Sequence, residues 1–380
     1  KPSVISALMK YQTTERMRRT VNDAMDIHGG RAICDGPTNY IQAAYQAVPV
    51  GITVEGANIL TRTLITFAQG ALRSHPYLYK EVKAVQDMDT KRGLEAFEAA
   101  FLGHIGFTVG NIFGALFHNL TAGRFAHVPE KSYGTAEWYR QLSRSSRNFA
   151  VVADLTVALL GGGLKVKQKL TGRLADALSE LYMLSCVLKR YEDDGKPAAD
   201  QVIVAMAAQN GLYRFQVALR GTIENFPVMW ARILMRALVY PLGGHYHPAP
   251  DQLAHEVVRI ACEPGEVRDR LTRFMFVSRD VNDPTGILEV TLEKVIAAAP
   301  AEKKLDRAVR DGIVKRYHGI DWIGDAVSAK VISESEGALL REVEALTARV
   351  IAVDHFGPAG VRPNFMTAGH NMRAVQSAAE

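Results

Sequence analysis

One carboxylate stands apart in the first quarter of this chain. Between Asp35 and Glu81 the only acidic residue is Glu55, and it sits among Ile52, Val54, Ile59 and Leu60. An ionised carboxylate is costly in apolar surroundings, so burial there raises its pKa and makes it a better base near neutral pH. The adjoining Gly56 lets another backbone or a ligand come close. On the residues alone a purely structural arrangement stays open: Glu55 pairing with Arg62, or turned to water.

The elements that must position Glu55 read as helices. Residues 11–28 are amphipathic and stop at Gly29-Gly30, a helix C-terminal signal. A loop with Asp35-Gly36-Pro37 follows. A second helix is expected from about 40 to 73, disturbed at Pro49-Val50-Gly51. Further on, Leu94, Phe97, Phe101, Ile105, Val109, Ile112 and Leu116 repeat at three or four, with Gly106, Gly110 and Gly114 at i+4 spacing. In a membrane the glycine spacing would mark helix dimerisation, but His104, Asn111 and His118 interrupt it, and a helix packed closely inside a soluble bundle is expected. Helices are expected at 136–160, 168–192 and 200–224, the second striped by Leu174, Leu178, Leu181, Leu184 and Leu188. Asp193-Asp194-Gly195-Lys196-Pro197 reads as a turn, and 241–250 as a longer loop. Ser333 and Glu336 form a capping-box pattern for a last helix carrying Leu339, Val343, Leu346 and Val350. Strict apolar/polar alternation never persists, so the predicted class is all-α.

Two phrases carry a resemblance. The first is Asn22-Asp23-Ala24-Met25-Asp26-Ile27-His28-Gly29-Gly30; the second is Thr53-Val54-Glu55-Gly56-Ala57-Asn58-Ile59-Leu60-Thr61-Arg62. Together they resemble the C-terminal helical domain of acyl-CoA dehydrogenases. With Tyr45-Gln46-Ala47-Val48-Pro49, Gly161-Gly162-Gly163-Leu164-Lys165, Leu188-Lys189-Arg190-Tyr191, Asn225-Phe226-Pro227 and Asp354-His355-Phe356, the chain is similar to the large bacterial fatty-acid-degradation members that bear an extra helical domain. The resemblance implies the end of the dehydrogenase helical bundle at 1–75, an appended α-helical domain at 76–356 and a flexible tail at 357–380. It also implies that the chain is a C-terminal piece, a poor enzyme without upstream domains that supply most flavin and acyl-CoA contacts.

The same resemblance assigns roles. Glu55 matches the family's base, which abstracts the α-proton of a medium- to long-chain fatty acyl-CoA while a hydride leaves the β-carbon for FAD, giving a trans-2-enoyl-CoA in β-oxidation. Its backbone N–H matches a donor to the thioester oxygen. Gly29 and Gly30 match a turn that approaches the FAD of a neighbouring subunit. Asn58 and Arg62 fall on cofactor-side positions, and Gly56 on the substrate side. Electron-transfer flavoprotein is the implied acceptor and a homo-oligomer the implied assembly. The family often has Gln at Asp26, Thr at Ala57 and a polar residue at Ile59, so the flavin contacts differ here.

Composition narrows the alternatives. Of 380 residues, 48% are hydrophobic and 22% charged, enough for a sizeable core. The net charge of +5 is spread among acidic residues rather than blocked, which gives no nucleic-acid footprint but suits a CoA phosphate or an anionic membrane surface. Cys34, Cys186 and Cys262 form no metal or redox spacing, so a cytoplasmic setting is expected, with peripheral contact at the inner membrane left open. No signal peptide and no run of about 18 apolar residues stands out. His245, His247 and His255 read as loop histidines rather than metal ligands, and Lys165, Lys167 and Lys169 as a solvated helix start. The segment 228–240, with Trp230, Arg232 and Arg236, reads as a core helix or one lying on an anionic bilayer. Two other functions stay open: a non-catalytic module for assembly or acyl-CoA binding, and a membrane-docking module.

Overall fold

The computed structural model describes residues 2–34, 39–130, 132, 134–317 and 320–352. Among them there is no strand, and fifteen α-helices follow in chain order. They are α1 (Pro2–His28), α2 (Ile41–Thr53), α3 (Asn58–Leu60), α4 (Gly70–Ser74), α5 (Leu78–Val85), α6 (Thr90–Leu120), α7 (Ala136–Leu160), α8 (Gln168–Asp193), α9 (Gln201–Glu224), α10 (Met229–Val239), α11 (Asp251–Cys262), α12 (Glu266–Thr272), α13 (Gly286–Arg310), α14 (Trp322–Ser328) and α15 (Glu334–Ile351). A nine-residue π-helix, Thr61–Gln69, joins α3 to α4. The all-α expectation holds.

The chain divides into two compact units. The first comprises 1–16 and 50–268, and the second 17–49 and 269–380, so residues on both sides of the boundary expected near 75 belong to the first.

In the first unit α7, α8, α9 and the π-helix enclose the main core. The α8 stripe works as read: Leu174, Leu181, Leu184 and Leu188 are buried, the first two against Phe67, Phe215 and Leu219. Phe67 meets Phe149 edge to face at 6.2 Å. The loop at 241–250 is held by one side chain. Gln216 Oε1 accepts from the His245 and Tyr246 N–H groups at 2.8 and 3.1 Å, and its amide donates to the Tyr246 carbonyl at 2.9 Å. Such bonds satisfy backbone that no regular element covers.

Helix α6 departs from expectation. Leu94, Phe101, Ile105 and Val109 are exposed, whereas Gly93, Ala100, Ala115 and Asn119 are buried. The helix packs through its small and polar side: a Cβ at Gly103 would fall 2.5 Å from the Tyr77 ring, and Asn119 bonds Asn148 and the Leu238 carbonyl. Gly106 and Gly110 have no neighbour where a Cβ would sit. Nor is the chain free of long apolar stretches. Thr90–Leu120 and Ala136–Lys165 are long enough to cross a bilayer, and each holds an 18-residue window apolar enough to do so, with mean hydropathies of 1.5 and 1.3. Residues 149–160 of the second carry core positions Val151 and Val152, so that helix is accounted for by packing.

In the second unit α13, α14 and α15 pack through Leu305, Ile323 and Leu340. The capping box forms in full, with Ser333 and Glu336 exchanging side-chain and backbone bonds. Helix α1 ends at His28 because Gly29 turns to φ +64°, and Asn39 Oδ1 caps α2 through the Ile41 N–H at 3.0 Å. The expected Asp35-Gly36-Pro37 loop, the Asp354-His355-Phe356 phrase and the tail at 357–380 lie outside the described residues.

Candidate active site

The disturbance expected at Pro49 lies further on. Helix α2 runs through Pro49 to Thr53, and the Val54 N–H still reaches the Val50 carbonyl at 3.0 Å. A proline removes one donor without forcing the chain out of helical φ, and its own φ is already near the helical value. What ends the helix is a left-handed pair, Glu55 at φ +53° and Gly56 at φ +86°. Gly56 is required there, since a Cβ would also press on Thr61 Oγ1 at 3.3 Å. Glu55 has no such licence: an L-residue in this region is strained by about 1–2 kcal/mol.

The turn is clamped from α1. The Lys10 ammonium donates to the Gly56 carbonyl at 2.9 Å and to Asn58 Oδ1 at 2.8 Å. The Asn58 amide donates to Thr14 Oγ1 and to Glu15 Oε1, both at 2.9 Å. Thr61 closes the turn by donating its hydroxyl to the Gly56 carbonyl at 3.2 Å. Charge-assisted bonds of this kind are the strong ones, and they fix the backbone on which Glu55 is mounted. The Glu55 N–H itself has no acceptor among the described residues.

One turn further, Arg62 forks onto Asp176 of α8, its Nε at 2.7 Å from Oδ1 and its Nη2 on Oδ2. The buried Tyr11 hydroxyl donates to the same Oδ1. The bond from Asp176 holds the Arg62 guanidinium charged well above its usual range, and burial with the Asp176 charge pushes the Tyr11 hydroxyl up as well. This triad ties α1 and the π-helix to α8. Long π-helical runs are rare and recur at functional sites.

These contacts correct several expectations. Glu55 does not pair with Arg62, whose carboxylate partner is Asp176. Nor do its apolar neighbours bury it: Glu55, Val54, Ile59 and Leu60 are all exposed, because the left-handed turn swings this segment off the packed side of the helices. Asn58 is 4% exposed, and its amide group is fully engaged inside the chain. The polar atoms of Asn58, and the Nε and Nη2 of Arg62, are thus engaged within the chain. At Gly29 and Gly30 no atom of the described residues lies within 4 Å of where a Cβ would sit. Glu55, Gly56, Asn58 and Arg62 share the first unit, while Gly29 and Gly30 belong to the second.

Sequence reasoning missed Lys10, Tyr11, Thr14, Glu15 and Asp176. The first four lie on one side of α1, with Lys10–Thr14 and Tyr11–Glu15 at i,i+4 and Tyr11–Thr14 at i,i+3, a legible signal. Asp176, 114 residues from Arg62, had none.

A second polar cluster lies at the α4–α5 junction. His75 Nε2 meets Asp154 Oδ1 at 3.0 Å, Thr108 donates to Asp154 Oδ2 at 2.9 Å, and His104 Nδ1 meets Glu81 at 2.7 Å. The ligand atoms of His75, His104 and Asp154 lie close enough to share a metal. His75 Nδ1, however, accepts from the Tyr77 and Leu78 N–H groups at 3.2 and 3.1 Å. Its Nε2 therefore carries the proton given to Asp154 and has no lone pair for a metal. The cluster locks α5, α6 and α7 together. Of the loop histidines, His245 is held below its usual pKa by burial and then by Arg144.

Fold and turn together define an all-helical domain that presents one strained carboxylate on a rigid backbone. Comparison with protein families gives the same class a name. Residues 72–356 match the family described as acyl-CoA dehydrogenase, C-terminal, bacterial type, and residues 1–68 match the acyl-CoA dehydrogenase C-terminal domain. The chain belongs to the bacterial-type acyl-CoA dehydrogenase C-terminal family. No solved structure matches it.

Proposed function

We propose that this chain supplies the proton-abstracting side of an FAD-dependent acyl-CoA dehydrogenase acting on medium- to long-chain fatty acyl-CoA, with Glu55 as the base. The observation that carries the reading is the turn itself: a non-glycine carboxylate held at φ +53° by Lys10 and Thr61, with a backbone N–H that has no acceptor among the described residues. Strain of this sort persists only where the surroundings impose it, and it collects at functional sites.

Glu55 takes the α-proton of the thioester onto its carboxylate. Its own N–H, and the tight backbone at Gly56, meet the thioester oxygen as enolate charge develops there. A bound flavin would supply the acceptor for the hydride of the β-carbon, so that the product would be a trans-2-enoyl-CoA. Gly29 and Gly30 present open backbone for the cofactor. Glu55 is exposed, and the bound acyl chain desolvates it. Electron-transfer flavoprotein is the proposed acceptor, and a homo-oligomer the proposed assembly.

Flavin bleaching tests this. The protein expressed from its complete reading frame is mixed anaerobically with a long-chain acyl-CoA, as wild type and as Glu55→Gln. Bleaching in the wild type that disappears in a variant retaining its FAD supports the assignment. Equal bleaching in both removes Glu55 from the mechanism, and a wild type without flavin moves the non-catalytic acyl-CoA-binding or assembly module ahead.

A peripheral membrane role is supported by a separate observation. No charged residue lies between Glu98 and Arg124, and Leu102, Phe113 and Phe117 are exposed along that stretch, with Phe125 exposed just after it. On α10, which packs against α6, Trp230 and Ile233 are exposed beside the exposed Arg236. An apolar face with basic residues near it suits an anionic bilayer surface. Co-sedimentation with anionic liposomes at low and high salt, for wild type and Phe113→Glu, reads it directly; pelleting that the substitution leaves unchanged removes this face from the proposal.

A further inference from the structure

The second unit contains a cavity of about 270 Å³ that the acyl-CoA chemistry does not use. Its lining residues include two arginines, Arg31 and Arg349, and the more apolar Ile287, Leu288, Pro284 and Tyr40. Each arginine is anchored by one N–H: Arg31 Nη2 on the Val350 carbonyl at 2.7 Å, and Arg349 Nη2 on the Val281 carbonyl at 2.8 Å. Neither has a carboxylate partner among the described residues. The Arg31 Nε is buried with no hydrogen-bond partner among them. An orphaned guanidinium N–H is costly, as at Arg31; Arg349 is exposed and holds its charge toward water with no carboxylate beside it.

One acidic side chain lines the same cavity. Asp283 turns its Oδ1 toward the start of α13, accepting from the Gly286 and Thr285 N–H groups at 2.8 and 2.7 Å. The Thr285 hydroxyl, and then those two N–H groups, hold its carboxyl below the usual range. The charged groups lining the cavity therefore sum to one excess positive charge. Tyr40 contributes ring surface, with its hydroxyl on His28 Nε2 at 2.7 Å.

We infer that this cavity binds a small oxyanion, a phosphate or carboxylate, carried on an apolar body of a few carbon atoms. The anion completes Arg31 and Arg349, and the body lies against Ile287, Leu288 and Tyr40. Guanidinium groups match such oxygens in geometry and charge. The inference stands apart from the dehydrogenase reading, since none of these residues belongs to the Glu55 turn.

Isothermal titration of the full 380-residue chain tests it, with phenyl phosphate, hexanoate and inorganic phosphate as probes and with Arg31→Gln and Arg349→Gln as variants. Phenyl phosphate or hexanoate should bind saturably, at least about tenfold tighter than inorganic phosphate, and each variant should weaken that binding by about tenfold or more. Which of the two probes binds separates the phosphate from the carboxylate source. Circular dichroism reports whether each variant folds; should Arg31→Gln unfold, Arg349→Gln decides. No binding by the wild type, inorganic phosphate binding as tightly as phenyl phosphate, or folded variants that bind like the wild type would each overturn the inference.

Discussion

The Lys10 ammonium, on the first helix, donates to the carbonyl of Gly56 at 2.9 Å, so a side chain 46 residues away holds the turn on which the candidate base is mounted. Replacing Lys10 with Met keeps the length of the stem but deletes both charge-assisted bonds. Lys10→Met should lose about 1.5–3 kcal/mol of stability. In the complete protein it should also lower the bleaching rate with Glu55 intact. Chemical denaturation and stopped-flow absorbance read the two effects separately.

Glu55 carries a backbone conformation that glycine adopts without strain. Glu55→Gly should therefore be more stable than Glu55→Ala by about 1 kcal/mol, although both lack the carboxylate. Urea midpoints of the two variants decide; equal midpoints would show that the left-handed geometry is not imposed in solution.

The Arg62–Asp176 fork is only partly screened, with side chains 34% and 28% exposed. Asp176→Ala leaves Arg62 and the Tyr11 hydroxyl without their acceptor and should cost about 1–3 kcal/mol, below the cost at a fully buried pair. A double-mutant cycle with Arg62→Met checks the coupling: near-zero interaction energy would contradict the geometry.

His118 is held below its ordinary pKa by burial, and further by Arg147 and Arg144. Below about pH 6.5 the unfolded chain therefore binds more protons at this site than the folded one, and stability falls as pH falls. His118→Gln should flatten the decline in Tm between pH 7 and 5. An unchanged slope would place the acid sensitivity elsewhere, with His245 the next residue to replace.

Ser333 caps α15 reciprocally with Glu336. Ser333→Ala should cost about 1 kcal/mol, measured as a shift in the denaturation midpoint at constant slope.

Local chemistry in the sequence determined much of this protein. The α8 leucine stripe, the Gly29 helix end, the Ser333–Glu336 box and the turn at Asp193 are each fixed by residues within a few positions of one another, so periodicity and capping suffice to find them. The isolation of Glu55 among its neighbours was legible for the same reason. Only the tertiary structure decided what surrounds them. Whether α6 buries its phenylalanines or its alanines depends on which side meets Tyr77, Arg147 and Asn148, and an apolar stripe shows only that a helix can bury that face. The partners of Arg62 and Gly56 are set by how helices distant in sequence pack, because a side chain pairs with whatever the fold brings within about 3 Å. The exposure of Glu55 follows from a backbone dihedral, φ +53°, that no residue-type preference at a glutamate foretells.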